Sequence, residues 1–404
     1  MVCLAMQHNP PLPAQSSVLK RIRHLYIHIP FCPSKCEYCA FVTHIGSLKL
    51  VPDYLAALAR EAHRLAENSR SGHLHTVYFG GGTPSMLQPD QIESILTHMR
   101  CCFGFAPDCE ITIEAHPLTV DQHHLSGYRA AGVTRISFGA ESMRDSELKR
   151  LGRRHTAAQV EQAVWSARDA GFASVALDLM YGLPGQTIDS WRATLERALA
   201  LRADHLSLYP LSIEPGAVFR RKLTRGQLEL PADELVVGMY HEACALLRLA
   251  GYEHYEVANW AQPGKRCAHN MAYWMNQEVL AVGVGAHGYV KPFRTENISH
   301  TKHYIDAVSN GRTAVHDREL AGPAIELAET VVLGLRLLTD GIDLDQIGRR
   351  LGINASALYQ AEVAELSSLG LLDSSSGRLT LPEAAVPLAN EVWERFVAPN
   401  LSVM

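Results

Sequence analysis

Three closely spaced cysteines could hold a metal centre. Cys32, Cys36 and Cys39 lie in "YIHIPFCPSKCEYCAF" with the spacing C-x3-C-x2-C. Structural zinc sites and iron–sulfur clusters normally take four protein ligands, yet Phe41 stands where a further cysteine could be. Three thiolates can hold three irons of a cubane cluster and leave the fourth iron open to a small chelating molecule.

Zinc is the alternative occupant of this loop. His44, which follows Cys39 closely, would complete a Cys3-His ligand set. Structural zinc sites usually come as two knuckles, and no second C-x2-C follows nearby. The spacing therefore favours an iron–sulfur cluster over zinc, and over three thiols that bind nothing.

The remaining cysteines do not indicate a disulfide framework. The chain has nine cysteines, an odd number, and most of them lie in apparent core segments. This usage is typical of a reducing compartment and predicts a cytoplasmic protein. Free buried cysteines usually behave as small apolar residues. We assign no role to Cys3, Cys101, Cys102, Cys109 and Cys244.

A glycine run follows the second predicted strand. The segment "VYFGGGTPS" contains Gly81, Gly82 and Thr83. Glycines let a ligand approach the backbone, and exposed N–H groups bind anions such as a carboxylate. The alternative is a tight strand–helix turn, with Thr83 as helix cap and Pro84 in the first turn.

Short β-rich runs alternate with helical patterns through the first half of the chain. Amphipathic helices are clearest at 51–70 and 156–171. The strand candidates are 24–29, 76–81, 110–115, 134–139, 174–180 and 205–211. Near-continuous apolar strands linked by helices predict an α/β fold with a parallel sheet covered on both faces. Six such units predict a partial (β/α)6 barrel rather than the full eight.

Polar motifs recur where the predicted strands end. Glu114 ends the third strand, Glu141 lies in "SFGAES" after the fourth, and Asp178 lies late in the fifth. Because chemistry in parallel α/β folds sits at the carboxyl ends of strands, this recurrence predicts one functional site there. Asp178 needs a partner if it is buried, so an ion pair with Arg153 is the structural alternative.

The chain divides into four predicted segments. Residues 1–20 form a flexible Pro-rich arm, 21–250 the partial barrel, 251–320 a small α+β extension, and 321–404 a helical, winged-helix-like domain. The last segment carries five arginines and no lysine against eleven acidic residues, and the whole chain has a net charge of −5. A phosphate backbone would be repelled, so we expect no nucleic acid partner and predict a protein-docking or lid module.

Membrane contact is limited by the lack of long apolar segments. No run of about 18 apolar residues occurs, so we expect at most peripheral contact with a membrane. The sequence leaves a homodimer open.

The motifs together resemble the radical S-adenosylmethionine (SAM) superfamily, and within it the oxygen-independent coproporphyrinogen III oxidase family. The matching stretches are "YIHIPFCPSKCEYCAF", "VYFGGGTPS", "RISFGAES", "LGRRHT", "DLMYGLPGQT" and "HLSLYPLSIEPG", with "CAHNMAYW" and "GVGAHGY" farther along. The helical C-terminal segment is similar too. The resemblance is specific because these stretches occur in the family's order.

The resemblance implies two cofactors and their ligands. Cys32, Cys36 and Cys39 would hold a [4Fe–4S] cluster. The amino and carboxylate groups of SAM would chelate its open iron, and an electron delivered through the cluster by a donor would cleave SAM to a 5′-deoxyadenosyl radical. The implied SAM-binding positions are Tyr26, Tyr38, Gly81, Gly82, Thr83, Glu114, Glu141, Arg153 and Asp178.

The chain departs from the oxidases at two positions. Oxidases that act on coproporphyrinogen carry a further cysteine where this chain has Phe41, and the family prefers Gln where this chain has Glu141. At Glu141 a carboxylate, which can only accept, therefore stands where the family's Gln has an amide that can donate hydrogen bonds. We therefore expect the contact at Glu141 to differ from that of the family's Gln, and the carboxylate could pair with Arg153.

Phe41 and "HNMAYW" together resemble one branch, the HemW-type heme chaperones. The resemblance implies heme as cargo and an acceptor hemoprotein as partner. His269 and Cys267 are candidate iron ligands, and Tyr273 and Trp274 offer flat faces to a porphyrin. Alternatively His269 caps a turn while the aromatic rings fill a core. His287 is a second candidate ligand.

The sequence thus supports three functional hypotheses. The first is a radical SAM heme chaperone. The second is a coproporphyrinogen III decarboxylase, which Phe41 disfavours. The third is another radical SAM reaction on a tetrapyrrole, in which heme would be consumed. A binding module whose fold is stabilised by zinc is a further, less favoured alternative.

Overall fold

The structure is a computed structural model that describes residues 22–46, 48–69 and 71–397. The predicted N-terminal arm lies outside the described residues. The strands are β1 (Ile22–Ile29), β2 (Phe31–Cys32), β3 (His44–Ile45), β4 (Ser71–Gly81), β5 (Phe105–Ala115), β6 (Arg135–Glu141), β7 (Ser174–Tyr181), β8 (His205–Pro210), β9 (Glu253–Glu256), β10 (Asn259–Ala261), β11 (Val279–Val282), β12 (His287–Val290), β13 (Phe293–Asn297) and β14 (Val315–Leu320).

The α-helices in the described part of the chain lie between and after these strands. They are α1 (Val51–Asn68), α2 (Pro89–Phe103), α3 (Gln122–Ala131), α4 (Asp145–Arg150), α5 (Ala157–Asp169), α6 (Ile188–Ala200), α7 (Val218–Thr224), α8 (Asp233–Leu249), α9 (Ala268–Trp274), α10 (Thr301–Ser309), α11 (Pro323–Gly334), α12 (Leu344–Leu351), α13 (Ala355–Leu358), α14 (Gln360–Ser368) and α15 (Ala389–Val397). Short 3-10 helices occur at Leu48–Leu50, Pro84–Met86 and Glu383–Leu388.

One large sheet organises the described part of the chain. Its strand order is β14-β13-β12-β11-β1-β4-β5-β6-β7-β8-β10-β9. The six strands from β1 through β8 in this order are parallel neighbours, and helices connect them. The edge strands β14 and β9 do not pair with each other, so the sheet remains open. The predicted partial (β/α)6 barrel is confirmed.

The parallel strands are apolar on one face only. In β1, Leu25 and Ile27 are fully buried in the apolar core that includes the surrounding helices. The alternate residues face inward, where the ring of Tyr26 stacks on that of Tyr78 in β4. Other buried inner residues are also polar, including Arg135 and His205. The expectation of near-continuous apolar strands therefore holds for the outer face, whereas the barrel interior carries polar side chains.

Residues 251–320 extend both edges of this sheet. β10 pairs antiparallel with β8, and β9 follows it at the edge. β11 instead crosses to the other side and pairs parallel with β1, and β12, β13 and β14 continue outward in antiparallel order. The segment that carries α9 therefore runs across the amino ends of the parallel strands.

The C-terminal segment is helical, as predicted. Helices α12 and α14 are followed by a minimal hairpin, in which Asp373 bridges to Thr380 and Leu379 bridges back to Ile342. This is the order of a winged helix with a reduced wing. No helix in the described ranges is long and apolar enough to cross a lipid bilayer.

Candidate functional site

The cysteine loop leaves the carboxyl end of β1 and returns through β3, which pairs with β2. Cys32 Sγ lies 3.0 Å from the carbonyl oxygen of Ser34 and 3.3 Å from Thr83 Oγ1. The amide of Cys39 donates to the carbonyl oxygen of Cys36 over 3.2 Å and closes the turn between these cysteines. The loop therefore contacts the end of the glycine motif, as the shared strand-end position predicts.

The donor atoms of this loop do not form a zinc site. Donors of a tetrahedral zinc ion stand roughly 4 Å apart, because Zn–S bonds are about 2.3 Å long. Among the described residues, three His, Cys, Asp or Glu donors lie within 4.8 Å of one another at one place only, and it is not on this loop. The ring of His44 packs edge-on against Phe31. The cysteine loop therefore does not gather four donors as a closed zinc site requires, whereas a cubane cluster needs only its three thiols from the protein when one iron stays open.

Arg153 links the cysteine loop to the end of β6. Its guanidinium donates to Cys36 Sγ at 3.6 Å and to the carbonyl oxygen of Gly139 at 2.8 Å, and it forms an ion pair with Glu141. Tyr38 also hydrogen-bonds to the Glu141 carboxylate. Glu141 adopts a left-handed φ of 63° where the β6–β7 register shifts. Such strained positions concentrate at functional sites, and here the irregularity accompanies the turn of the carboxylate toward Arg153.

Glu114, at the end of β5, is held by two hydrogen bonds. Its Oε1 accepts from the Tyr78 hydroxyl at 2.9 Å, and its Oε2 accepts from the Gly81 amide at 3.2 Å. Burial, together with the nearby Asp178 carboxylate, raises the pKa of Glu114 to about 7. A cationic ligand that binds beside Glu114 would favour the ionised carboxylate and lower its pKa.

Asp178 is held by hydroxyl groups. Ser137 Oγ donates to its two carboxylate oxygens at 3.2 and 3.3 Å, and Ser207 adds a further hydrogen bond. Burial and the Glu141 charge raise the pKa of Asp178 to about 6. The ion pair with Arg153 that the sequence allows as an alternative is absent, because Arg153 pairs with Glu141 instead.

The glycines of the motif are required by packing between β1 and β4. A Cβ at Gly81, whose φ is +115°, would stand 2.6 Å from the His28 ring. A Cβ at Gly82 would stand 2.5 Å from the carbonyl oxygen of Pro30. The Gly81 amide donates to Glu114 rather than projecting as a free anion-binding group. Thr83 precedes the 3-10 helix without capping it through its side chain, and its hydroxyl faces Cys32.

Tyr78 is a residue that the sequence reasoning missed. Its hydroxyl orients Glu114, while its ring stacks on Tyr26 at 6.2 Å and on His269 at 5.0 Å. Tyr26 in turn contacts His28 through its hydroxyl. The available signal was strand alternation, because Tyr78 stands two residues before the first glycine of the motif, on the face directed into the barrel.

His269 and Cys267 lie toward the opposite end of the barrel. His269 Nδ1 is 2.7 Å from Thr76 Oγ1, and Thr76 precedes Gly81 by roughly 16 Å of strand. His269 is 1% exposed and Cys267 0% exposed. Burial lowers the pKa of His269 to about 3 and raises that of Cys267 to about 12. Both are therefore neutral and enclosed, so a porphyrin reaches them only if α9 shifts.

The aromatic residues of "HNMAYW" also pack inside. Tyr273 packs edge-on against the His269 ring at 5.1 Å, and Trp274 lies under the guanidinium of Arg336 at 4.2 Å. The other candidate, His287, is exposed at the start of β12. In this conformation the motif fills the base of the barrel.

A cavity of about 810 Å³ lies beside this motif, between the base of the barrel and the C-terminal segment. Met275, which follows α9, is 40% exposed and lines it together with Trp274. The rest of the lining includes His24, Gln277, Lys291, Asp340, Arg350 and Arg378. A volume of several hundred cubic ångströms is typical of small-molecule sites, and this one is remote from the cysteine loop.

Phe41 remains on the surface beside the cysteine loop. Its side chain is 70% exposed, although an apolar ring normally gains by burial. At the position that would place a further cysteine near the cluster, this chain therefore presents an inert ring.

Comparisons with known proteins match this geometry. The radical SAM superfamily model covers residues 26–198, and the HemN C-terminal domain model covers 325–388. The chain is 33% identical to the heme chaperone HemW of Bacillus subtilis, over 93% of this chain and 99% of the relative. It is 39% identical to HemW of Escherichia coli, over 66% of this chain and 70% of the relative.

The fold also matches a solved structure. Coproporphyrinogen III oxidase (HemN) from Escherichia coli, described as a radical SAM enzyme, superposes with a TM-score of 0.82. The match covers 94% of this chain and 91% of that chain at 24% identity, so it establishes the shared fold. Superfamily membership implies a [4Fe–4S] cluster and SAM, which suit the three thiols and the carboxylates at the strand ends. On these similarities over nearly its full length, the chain belongs to the HemW family of radical SAM proteins.

Proposed function

We propose that this protein is a heme chaperone that holds a [4Fe–4S] cluster, SAM and heme, and passes heme to an acceptor hemoprotein. The observation that carries the proposal is the similarity to a heme chaperone over 99% of that relative's length. The likeness to the oxidase is a likeness of fold at 24% identity. The exposed Phe41 supports the same choice, because the oxidases place a further cysteine there.

The residues that would hold the cofactors converge at the carboxyl ends of the strands. Cys32, Cys36 and Cys39 supply three thiolates, and Arg153 donates to Cys36 Sγ, which suits an anionic sulfur. When bound, the cluster supplies an electron to SAM, and a separate protein or small reductant must deliver it. These thiols remain our assignment of the cluster ligands.

The carboxylates nearby suit the cationic groups of SAM. Glu114 is fixed by Tyr78 and Gly81, and Asp178 by Ser137. Tyr26, Tyr38, Gly82, Thr83, Glu141 and Arg153 complete the assigned positions. Tyr38 and Arg153 act through Glu141, so we assign them a positioning role.

We place heme at the base of the barrel, in the cavity beside α9. Trp274 offers an apolar face, and Arg350 and Arg378 offer cationic groups for the propionates. Met275 is 40% exposed, and its sulfur accepts a hydrogen bond from Gln277 at 3.3 Å, which heme iron would replace. Methionine and histidine both ligate heme iron. His269 and Cys267 stay candidate ligands, but both require α9 to move, whereas Met275 does not.

The first test separates chaperone from oxidase. Protein reconstituted anaerobically with iron and sulfide is given reductant, SAM and coproporphyrinogen III, and the porphyrinogen products are separated by chromatography. We expect no decarboxylated product from cluster-loaded protein. Turnover would establish the oxidase instead, and would make Phe41 a tolerated variation.

The second test measures cargo handling. Heme is titrated into the same protein, and transfer to an apo-hemoprotein is followed by absorbance. We expect one heme per chain, transferred intact. Loss of the heme spectrum with SAM consumption would indicate a reaction on the tetrapyrrole instead, and no binding would refute the chaperone proposal.

The third test locates the heme. Met275→Leu conserves volume but removes the thioether, so we expect an altered heme spectrum with unchanged folding. His269→Ala tests the enclosed candidate in parallel, and His287→Ala serves as the exposed histidine control. If neither Met275→Leu nor Arg350→Ala changes heme affinity or spectrum, heme does not occupy this cavity.

A further inference from the structure

A second group of metal-ligating side chains lies away from both sites described above. Cys244 in α8, His254 in β9 and Glu383 at the start of its 3-10 helix bring their donor atoms within 4.8 Å of one another. Cys244 and His254 lie on consecutive elements, whereas Glu383 comes from the C-terminal segment. They meet where the last helix of the barrel contacts the C-terminal segment.

His254 lies between two groups that accept hydrogen bonds. Its Nε2 lies 3.3 Å from the carbonyl oxygen of Val257, and its Nδ1 lies 3.3 Å from Glu383 Oε2. When Nε2 donates to Val257, Nδ1 presents the lone pair that a metal ion would take. This lone pair then faces the carboxylate oxygen that would bind the same ion.

The surroundings hold these donors in place. The His254 ring stacks on Trp260 with centroids 3.8 Å apart and an interplanar angle of 11°. The other carboxylate oxygen of Glu383, Oε1, pairs with Arg248, so Oε2 is the oxygen left for a ligand. A backbone carbonyl behind a ligating histidine is a common outer contact in metal sites.

The donor set indicates which metal would bind. One thiol, one imidazole and one carboxylate match the sulfur, nitrogen and oxygen ligands of zinc, whereas Ca²⁺ and Mg²⁺ take oxygen ligands. Cys244 is buried and Glu383 is partly exposed. A fourth ligand, a water molecule, would therefore enter from the Glu383 side.

We propose that Cys244, His254 and Glu383 bind one zinc ion, which joins the barrel to the C-terminal segment. The thiol loses its proton to solvent as the Zn–S bond forms, and no oxidation or reduction occurs. The ion ties α8 and β9 to the segment that carries the wing and α15. None of these three ligands belongs to the assigned heme or SAM sites. The zinc proposal can therefore be tested, and refuted, independently of the chaperone proposal.

The test must exclude metal binding by the cysteine loop. The full chain carrying Cys32→Ser, Cys36→Ser and Cys39→Ser is stripped with chelator under anaerobic conditions and titrated with Co²⁺, then with Zn²⁺. We expect one Co²⁺ per chain with a thiolate-to-cobalt charge-transfer band, displaced by one Zn²⁺. The absence of stoichiometric binding, or of the thiolate band, would overturn the proposal.

Variants assign the ligands on the same background. Cys244→Ser should abolish the thiolate band, and Glu383→Gln should weaken Zn²⁺ binding at least tenfold. Cys101→Ser, at an exposed cysteine in α2, is the control and should change nothing. Should Cys244→Ser not fold, Glu383→Gln decides, because its side chain is partly exposed. Unchanged Zn²⁺ affinity in Glu383→Gln, or a thiolate band that persists in folded Cys244→Ser, would show that the metal binds elsewhere.

Discussion

At the scale of single residues, the strand-end carboxylates determine how the site responds to pH. Glu114 and Asp178 are partly buried at neighbouring strand ends. Burial raises the pKa of both groups, the Asp178 charge raises that of Glu114 further, and the Glu141 charge raises that of Asp178 further. The pKa of Glu114 is about 7 and that of Asp178 about 6, both above the ordinary range of a carboxyl group. The site therefore gains negative charge as the pH rises through these two pKa values.

We predict that SAM binds more tightly as the pH rises from about 6 to about 8. Deprotonation of Glu114, whose pKa is about 7 in the free protein, creates the charge that attracts the cationic ligand, and this attraction is lost as the pH falls below that value. Equilibrium dialysis of SAM with cluster-loaded protein measures the effect. Glu114→Gln should bind at least tenfold more weakly at pH 8 and show a flatter pH profile. Equal pH profiles for both proteins would exclude Glu114 as the group responsible.

Arg153 is the second residue whose removal has a large expected effect. Arg153→Ala leaves the Glu141 carboxylate, which is only 12% exposed, without its partner, and it removes the donor to Cys36. A broken buried ion pair typically costs about 3–5 kcal/mol, and we expect a loss of this size in the free energy of unfolding. Urea denaturation and the iron content after reconstitution measure it.

Glu141→Gln is the matched variant for Arg153→Ala. It removes one charge but keeps a side chain of the same shape, and it restores the amide that the family prefers. We expect a smaller loss of stability and a retained cluster. A loss as large as that of Arg153→Ala would show that the charge of Glu141 itself is needed.

At the scale of elements, β1 and β4 approach each other so closely that the positions of the glycine motif have no room for a side chain. Gly81→Ala would place a Cβ 2.6 Å from the His28 ring at a φ of +115°. Left-handed strain costs a non-glycine residue about 1–3 kcal/mol, and the clash adds to it. We expect unfolding at lower urea concentration and weakened SAM binding, because Glu114 loses its Gly81 contact.

A second variant separates the two causes of this loss. His28→Ala removes the ring that the new Cβ would meet but leaves the backbone strain. Gly81→Ala should therefore destabilise the His28→Ala protein less than it destabilises the parent. An equal loss in both backgrounds would show that backbone conformation alone requires glycine.

At the scale of the whole molecule, several arginines connect the barrel with the C-terminal segment, and Arg336 among them pairs with a fully buried carboxylate. Arg336 follows α11, pairs at 3.5 Å with Glu256, which is fully buried, and lies over the rings of Trp274 and Trp393. Arg336→Ala would leave the Glu256 carboxylate buried without this charge. We expect a loss of about 3–5 kcal/mol in the free energy of unfolding, and weaker heme binding in the adjacent cavity.

The control for Arg336 is an exposed ion pair in the same segment. Arg395 pairs with Glu365 on the surface of the C-terminal helices, where such pairs contribute about 0–1 kcal/mol. Arg395→Ala should therefore shift the thermal denaturation midpoint only slightly. Equal shifts for the two variants would mean that Arg336 does not couple the segments.

The sequence by itself determined the architecture and the cluster loop. Strand and helix periodicity located the six parallel strands, because side-chain alternation and helical spacing are local properties of the chain. The C-x3-C-x2-C spacing identified the cysteine loop for the same reason. The position of Glu114 at a strand end was enough to place it in the site.

Only the tertiary structure decided which groups meet. It paired Arg153 with Glu141 rather than with Asp178, and it enclosed His269 under Tyr78 instead of opening it to a ligand. It also joined Cys244, which carried no sequence signal, to His254 and Glu383. Contacts between distant segments follow from how the strands order themselves and how the C-terminal helices pack, and neither is recorded in the spacing of neighbouring residues.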